Sequence, residues 1–249
     1  MEKKKINVAL LFGGKSAEHE ISLKSAKNVM EAIDKDKFNI ILIGIDKKGN
    51  WLMNTGKSLL MDLDKNPSLE SNSGGETVAL IPQSQGRISN FGDDNFDKKI
   101  DVVFPILHGP FGEDGTIQGL LKLANVPFIG AGVLGAAVGM DKDVMKRLLR
   151  DAGLPIGKFI ALKLNDDIPT FEDIKEKLGM PCFVKPANLG SSVGINRANN
   201  EQEYKSAVNE AFEFDNKIIV EEFIAGREIE CAILGNENPR ASVVGEISF

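Results

Sequence analysis

The chain has 249 residues, of which 42% are hydrophobic and 27% charged, values that are typical of a globular protein and exclude disordered and collagen-like chains. Its 30 basic and 36 acidic side chains leave a net charge of −6, which argues against a DNA or RNA partner because nucleic-acid binders are usually basic. No window reaches the roughly 18 apolar residues of a membrane helix, and the apolar run after the basic start is too short for a signal peptide, so we expect a cytoplasmic protein without membrane contact.

The first third of the chain alternates predicted strands and helices. The continuous apolar run from Ile6 to Phe12 predicts a buried strand that ends at Gly13-Gly14. Apolar residues at helical spacing predict a helix from about Glu18 to Asp34, and the isoleucine-rich run Phe38 to Ile45 predicts a second strand. This β-α-β order predicts a parallel sheet with a right-handed crossover.

Residues 54–98 have a different composition and hold most of the Asn, Ser and Gly, including Ser71 to Gly75. We expect short strands and loops there, as an insertion with little chemistry. A strand is predicted at Asp101 to Leu107 and a short one at Val126 to Ile129. Between them, Asp114 is predicted to cap a helix, whose apolar face is Ile117, Leu120, Leu121 and Ala124.

The second half begins with a run of Gly, Ala and Val, Gly130 to Gly139, where we place a domain boundary. A helix that ends at Gly153 and Pro155 follows. A second boundary is expected near Ala225-Gly226. The remaining predicted elements are helices at 170–178 and 201–214 and strands at 159–164, 182–186, 193–196, 218–223, 228–234 and 242–247.

Cysteine usage points away from disulfide and zinc chemistry. Cys182 and Cys231 lie far apart, each in an apolar run, which predicts buried free thiols. The clustered Cys and His spacing of a zinc site is absent.

Three glycine motifs were weighed as nucleotide sites. Gly14-Lys15-Ser16 and Gly56-Lys57-Ser58 lack the glycine five residues before the Gly-Lys pair that a P-loop needs. Residues 130–135 fit G-x-G-x-x-G, but the nearest acidic residue at the right distance, Asp151, lies inside a predicted helix. We therefore interpret these glycines as tight packing at a domain joint and keep an NAD oxidoreductase only as an alternative.

The segment His108 to Thr116 is more informative. It ends a strand and opens a helix, and its three glycines free the backbone to approach a ligand. Open α/β sheets bind ligands at the carboxyl ends of their strands, where His108 is predicted to lie.

Two further segments suit a nucleotide. Lys185 leaves a strand into the Gly-Ser-Ser loop that ends at Gly194, where its charge and the loop's donors suit a triphosphate. Lys142 is a second candidate phosphate cation or a solvated helix lysine. Glu221 and Glu222 end a strand, either as a solvated pair or as part of a hinge that reads adenine and ribose.

Five blocks of the sequence together resemble one family, the D-alanine–D-alanine ligases of the ATP-grasp superfamily. The blocks occur in the family's order and cover essentially the whole chain, which makes the match very specific. They are residues 11–22 (LFGGKSAEHEIS), His108 to Gly119, Gly139 to Lys142, Lys185 to Gly194 and Glu221 to Glu228.

The resemblance implies a reaction. ATP phosphorylates the carboxylate of one D-alanine, and the amine of a second D-alanine attacks the acylphosphate and displaces phosphate. The dipeptide feeds peptidoglycan synthesis. In the catalytic set, Glu18 holds the ammonium group of the first D-alanine with Ser191 in the same hydrogen-bonded group, and His108 lies near its carboxylate.

The resemblance also implies an ATP site. Lys142 and Lys185 clamp the phosphates, and Ser192 contacts them from the loop. Glu221, Glu222 and Ile224 frame adenine, while Glu228 binds ribose. The implied cofactors are ATP and Mg²⁺, and a homodimer through the first domain is implied as well.

The implied fold is α/β: an N-terminal parallel-sheet, Rossmann-like substrate domain at 1–130, a central ATP-grasp α+β subdomain at 131–225, and the start of a C-terminal ATP-grasp subdomain at 226–249. Family members continue beyond the position of Phe249 into a region that carries the magnesium ligands. We therefore expect no metal ligands within this chain and little activity from it alone.

Several alternatives stay open. Another ATP-grasp ligase is disfavoured by the blocks around Glu18 and His108, because the superfamily shares mainly its ATP-binding halves. A ligase that joins D-alanine to D-lactate or D-serine is not excluded. A non-catalytic ATP-binding module is the alternative from another functional class.

Overall fold

The structure, a computed structural model, describes residues 4–53, 76–90 and 93–248. The expected loop Ser71 to Gly75 and the rejected motif Gly56-Lys57-Ser58 lie outside these residues, as does Phe249.

Seven strands of the first part of the chain form one sheet. They are β1 (Ile6–Gly13), β2 (Phe38–Ile45), β3 (Trp51–Met53), β4 (Glu76–Leu80), β5 (Arg87–Asn90), β6 (Asp93–Lys99) and β7 (Val102–Ile106). Their order is β6-β5-β4-β3-β2-β1-β7. β1 pairs in parallel with β2 and β7, whereas β3 to β6 add antiparallel strands beyond β2. The predicted parallel sheet is thus confirmed for β2-β1-β7, and the expected insertion contributes strands to the same sheet.

β1 is apolar and buried from Val8 to Phe12 because both faces of the sheet are covered there. Helix α1 (His19–Ala32) packs on one face and helix α2 (Thr116–Leu123) on the other. In the core under α1, Leu23 and Ala26 pack with Leu10 and Phe12 of β1. In the core under α2, Ile117 and Leu121 pack with Ala9 and Leu11 of β1.

The start of α2 corrects one prediction. Gly115, with φ +93°, is the N-cap residue in place of Asp114. The Asp114 carboxylate instead accepts hydrogen bonds from the backbone N–H groups of Phe111 at 2.8 Å and Thr116 at 2.9 Å. Burial on its own raises the pKa of Asp114, but these donors hold it below its ordinary value. The strand predicted at Val126 to Ile129 is reduced to a single parallel bridge between Val103 and Phe128.

The Gly-Ala-Val segment is helical. It forms α3 (Val133–Met140), which is followed by α4 (Lys142–Asp151). The tight packing expected at its glycines is not found, because a Cβ added to Gly130 or Gly132 would have nothing within 4 Å.

A second, antiparallel sheet follows. Its strands are β8 (Phe159–Lys163), β9 (Cys182–Pro186), β10 (Asn196–Ala198) and β11 (Lys217–Glu222), in the order β10-β9-β11-β8. Helices α5 (Phe171–Leu178) and α6 (Glu201–Phe214) cover one face, and a core that includes Ile174, Tyr204, Val184 and Val220 lies between. The strand predicted at 193–196 is displaced and begins at Asn196, as β10, because Ser192 and Gly194 before it have left-handed backbones with φ +60° and +67°.

The last described residues form two small ladders. β12 (Glu228–Glu230) pairs with β15 (Gly245–Ile247), and β13 (Ile233–Leu234) pairs with β14 (Arg240–Ala241). The two long strands predicted here are broken, since the Ser242 hydroxyl accepts a hydrogen bond from the Ala232 N–H at 3.0 Å. Cys231 is exposed, against prediction, as are the other described residues of both ladders. Cys182 is buried as predicted, and burial raises the pKa of its thiol.

Across the described ranges, no helix has both the length and the apolar character that crossing a membrane requires.

Candidate functional site

The turn after β1 is fixed by α1. Gly13 has φ +91°, and its N–H donates to the Ser22 hydroxyl at 2.7 Å. The ring of His19 is fully buried, with Nδ1 at 2.7 Å from the Gly14 carbonyl oxygen. Sequence reasoning missed the roles of His19 and Ser22, although their i, i+3 spacing just after the glycine pair was a usable signal. Glu18 is the N-cap residue of α1, but its side chain makes no capping bond.

The Glu18 carboxylate is where the two halves of the chain meet. It accepts a hydrogen bond from the Ser191 hydroxyl. Its other oxygen lies against the backbone of Gly109, where an added Cβ would collide with it, and 3.7 Å from the Cβ position of Gly190. The structure therefore brings together a carboxylate from the first turn of α1, the backbone after β7 and the loop after β9.

His108 follows β7 at the same edge of the first sheet. Its carbonyl oxygen accepts from the Ser16 hydroxyl at 2.7 Å, and its Nε2 lies 3.2 Å from the Ser25 hydroxyl of α1. The ring is half-buried and directed at α1. The residue thus lies at the carboxyl end of β7, as predicted, and beside the Glu18 segment, with its ring held by a serine that the sequence did not single out.

The loop after His108 is braced by its own side chains. The Glu113 carboxylate accepts from the Gly109 N–H at 2.7 Å, and the Gln118 amide donates to the Gly112 carbonyl at 2.8 Å. These bonds fix the backbone on which the Glu18 carboxylate rests.

Lys142, the first residue of α4, anchors the loop after β9. Its ammonium group donates to the Ala187 carbonyl at 3.3 Å and to the Leu189 carbonyl. The backbone N–H of Lys142 also donates to the Ala187 carbonyl, at 3.0 Å. Burial and then the nearby charge of Lys185 lower the pKa of Lys142 below its ordinary value. An anion bound next to this lysine would stabilise its charged ammonium form.

The loop itself turns at two serines. Ser191 and Ser192 have φ +50° and +60°, and both are exposed. Backbone in this region is uncommon for residues other than glycine and clusters at ligand sites. Ser191 reaches Glu18, whereas Ser192 follows it on the exposed turn.

Glu221, at the end of β11, lies between two lysines. One carboxylate oxygen is 2.5 Å from the ammonium nitrogen of Lys146, and the other is 2.6 Å from that of Lys185. Burial alone raises the pKa of Glu221, but hydrogen bonds and charge from Lys146 and then Lys185 hold it below its ordinary value. Glu221 is therefore not half of a solvated pair. Lys146 was not predicted, although it lies one helical turn after Lys142.

The segment after β11 holds the remaining predicted residues. The Glu222 carboxylate accepts a hydrogen bond from the backbone N–H of Lys158, just before β8, at 2.8 Å. Ile224 is 63% exposed and lies 2.9 Å from the position of a Cβ added to Gly157. Glu228 is exposed in β12.

A cavity of about 590 Å³ opens between the two halves of the chain. One side of its wall is the loop after β7. The other side is α4 with the loop after β9. The residues from these elements include Gly112, Glu113, Gln118, Lys142, Met145 and Gly190. The charged side chains in this wall are those of Glu113 and Lys142, so the cavity presents one carboxylate and one ammonium group.

The described residues do not fit a divalent metal ion. No three His, Cys, Asp or Glu side chains lie together in these ranges. The buried carboxylate of Glu221 is already shared by two ammonium groups.

Family models match both halves of the chain. The model described as the D-ala D-ala ligase N-terminus matches residues 7–131, and that of the D-ala D-ala ligase C-terminus matches residues 148–249. A D-alanine–D-alanine ligase of Oceanobacillus iheyensis is 50% identical over 99% of this chain, and D-alanine–D-alanine ligase A of Escherichia coli is 49% identical over 98%. The chain spans about two thirds (67%) of the length of each relative.

Solved structures give the same picture. The D-alanine–D-alanine ligase of Coxiella burnetii matches with a TM-score of 0.87 and 36% identity, over 98% of this chain and 68% of that chain. The VanG D-Ala:D-Ser ligase of Enterococcus faecalis matches with a TM-score of 0.87 and 37% identity, over 98% of this chain and 70% of that chain.

Proposed function

The chain belongs to the D-alanine–D-alanine ligase family, and from this premise we propose that it takes part in the joining of two D-alanine molecules with the conversion of ATP to ADP and phosphate. The γ-phosphoryl group moves to the carboxylate of the first D-alanine. The amine of the second then forms the peptide bond, loses a proton, and releases phosphate. The observation that carries the proposal is the contact of Glu18 with Ser191, in a loop that follows Lys185 of β9 and is held by Lys142 of α4.

The first D-alanine is assigned to the space beside the Glu18 carboxylate. A carboxylate with one serine partner retains acceptor capacity for an ammonium group. Gly109 and Gly190 leave the space beside it free of side chains. His108 is assigned to the carboxylate side of the same substrate, held by Ser25.

ATP is assigned to the second sheet. Lys142 and Lys185 supply charge for the phosphates, and Ser192 supplies a hydroxyl on the exposed turn. Glu221, Glu222 and Ile224 line the adenine side, and Glu228 is assigned to ribose. Such a site works by positioning and charge neutralisation, without a protein nucleophile.

Three further assignments accompany this function. The family uses ATP with a divalent metal, and we assign Mg²⁺, with ligands outside the described residues. We also assign a cytoplasmic location, where ATP is available, and a homodimer through the first domain. Leu123, exposed on α2, supports the dimer, which analytical ultracentrifugation tests. The expectation of little activity from the chain alone stays a prediction.

The similarity to the VanG ligase supports a D-serine ligase as the alternative, and the relatives at 50% identity favour D-alanine.

Calorimetric titration of the purified chain with ATP, NADH, D-alanine and L-alanine tests the proposal. We expect ATP and D-alanine to bind and L-alanine and NADH not to bind. Binding of NADH without ATP would overturn the proposal in favour of an oxidoreductase, and binding of ATP without D-alanine would favour a plain nucleotide module.

A further inference from the structure

The buried charges around Glu221 do not balance. One carboxylate faces two ammonium groups, those of Lys146 and Lys185, at 2.5 and 2.6 Å. The three side chains are between 11% and 22% exposed. A buried surplus of one positive charge is costly unless a further anion joins it. The arrangement is thus unfinished without a ligand anion.

The two lysines are not equivalent. The Lys146 side chain is 11% exposed and its ammonium group lies 5.4 Å from the centre of the Phe159 ring, which the charge faces. The Lys185 side chain is 22% exposed, on the strand that runs directly into the loop with Ser191 and Ser192. Lys146 is enclosed by protein, whereas Lys185 is the cation nearer to the loop.

We propose that Lys146 is a positioning residue that remains the counter-ion of Glu221 while Lys185 moves from Glu221 to the phosphates of ATP. This inference rests on the proposed function, since it takes ATP as the incoming anion. A single lysine could not serve both partners without leaving a buried carboxylate unpaired. With Lys146 in place, the exchange keeps every buried charge paired.

The proposal predicts how Lys146 affects ATP binding. In a Lys146→Met variant, Lys185 is the only counter-ion of Glu221. When Lys185 moves to ATP, the buried Glu221 carboxylate is left without a counter-ion. We expect ATP affinity to fall by about tenfold or more, with D-alanine affinity unchanged. Lys146→Arg keeps the charge and should retain most of the affinity.

The test is calorimetric titration of ATP into the whole chain in a double-mutant cycle. In a Glu221→Gln background no buried carboxylate needs a counter-ion, so adding Lys146→Met should change ATP affinity by less than about twofold. Lys205→Met, which breaks an exposed pair with Glu201 at 2.6 Å, is the matched control and should have no effect.

Two results would overturn the inference. One is wild-type ATP affinity in Lys146→Met, and the other is an equal loss from Lys146→Met in both backgrounds, which would mean that Lys146 contacts ATP itself. If Lys146→Met does not fold, Lys146→Gln, which also removes the charge, takes its place in both backgrounds. Failure of the wild-type chain to bind ATP would instead refute the proposed function.

Discussion

Glu18, at the N-cap of α1, and Ser191, in the loop after β9, are 173 positions apart in the chain and are joined by a hydrogen bond from the serine hydroxyl to the carboxylate. The bond links the edge of the first sheet to the loop of the second. It places the assigned ammonium-binding carboxylate beside the assigned phosphate loop, so the two substrates would meet at the boundary between the two halves of the chain.

The neighbouring serines of this loop should have separable effects. Ser191→Ala removes the partner of Glu18 and should weaken D-alanine binding by about fivefold or more, since one hydrogen bond to a charged group is lost. Ser192→Ala should weaken ATP binding instead. Both positions have left-handed backbones, so each variant is the control for the other. Calorimetric titration with each ligand measures both, and identical profiles for the two variants would contradict the assignment.

Lys185→Met should weaken ATP binding by about tenfold to a hundredfold, because a charge-assisted contact to phosphate is lost. The fold should persist, since Lys146 still neutralises Glu221 at 2.5 Å. D-alanine binding should be unaffected. Unchanged ATP affinity in a variant that melts like the wild type would show that Lys185 has no role in the nucleotide site.

The turn at Gly13 should not tolerate a side chain. An added Cβ would collide with the Ile45 carbonyl oxygen, and φ is +91°, so Gly13→Ala should lower the free energy of unfolding by about 2 kcal/mol or more. Gly119→Ala is the matched control on α2, where nothing lies within 4 Å and helix propensity predicts a gain of about 0.5–1 kcal/mol. Urea denaturation measures both, and equal effects would contradict this explanation.

Tyr204, the single tyrosine of the chain, should control alkaline stability. Burial, with smaller contributions from the charges of Cys182 and Asp173, raises its pKa from 10.0 to about 12. The unfolded chain therefore loses this proton first as pH rises, and the free energy of unfolding should fall by up to about 2 kcal/mol between these two values.

Tyrosinate absorbance follows that ionisation directly. Tyr204→Phe loses the hydrogen bond to the Pro169 carbonyl at 3.1 Å and should show a flatter dependence of stability on pH in the same window. The same slope in the variant would mean that other groups cause the alkaline loss.

Sequence periodicity was sufficient for the regular elements that pack locally. The range of α6, Glu201–Phe214, was predicted to the residue, because its apolar positions repeat at helical spacing and Asn200 caps it through the Glu203 N–H at 3.0 Å. The buried strand β1 was equally clear, since both of its faces are covered. The blocks around Glu18 and Lys185 were also located from the sequence.

Features that depend on tertiary contacts were not predictable in the same way. The Asp114 carboxylate accepts from one N–H of its loop, that of Phe111, and from the N–H of Thr116, the first residue of α2, while Gly115 occupies the N-cap position. Helix signals alone do not reveal this arrangement. Cys231 lies between ladders whose described residues are all exposed, and its apolar neighbours in the sequence do not indicate this. Lys146 matters only because folding places Glu221 beside it, and no local pattern names that partner.

The most direct test of this account is the affinity of Glu18→Gln for D-alanine and for ATP, compared with the wild type by calorimetry. Glutamine keeps the shape but not the charge that an ammonium group requires, so D-alanine affinity should fall by about tenfold or more while ATP affinity changes by less than about twofold. Glu20→Gln, which removes only the exposed partner of Lys47, should match the wild type. Equal losses for both ligands, or undiminished D-alanine binding, would contradict the assignment of Glu18.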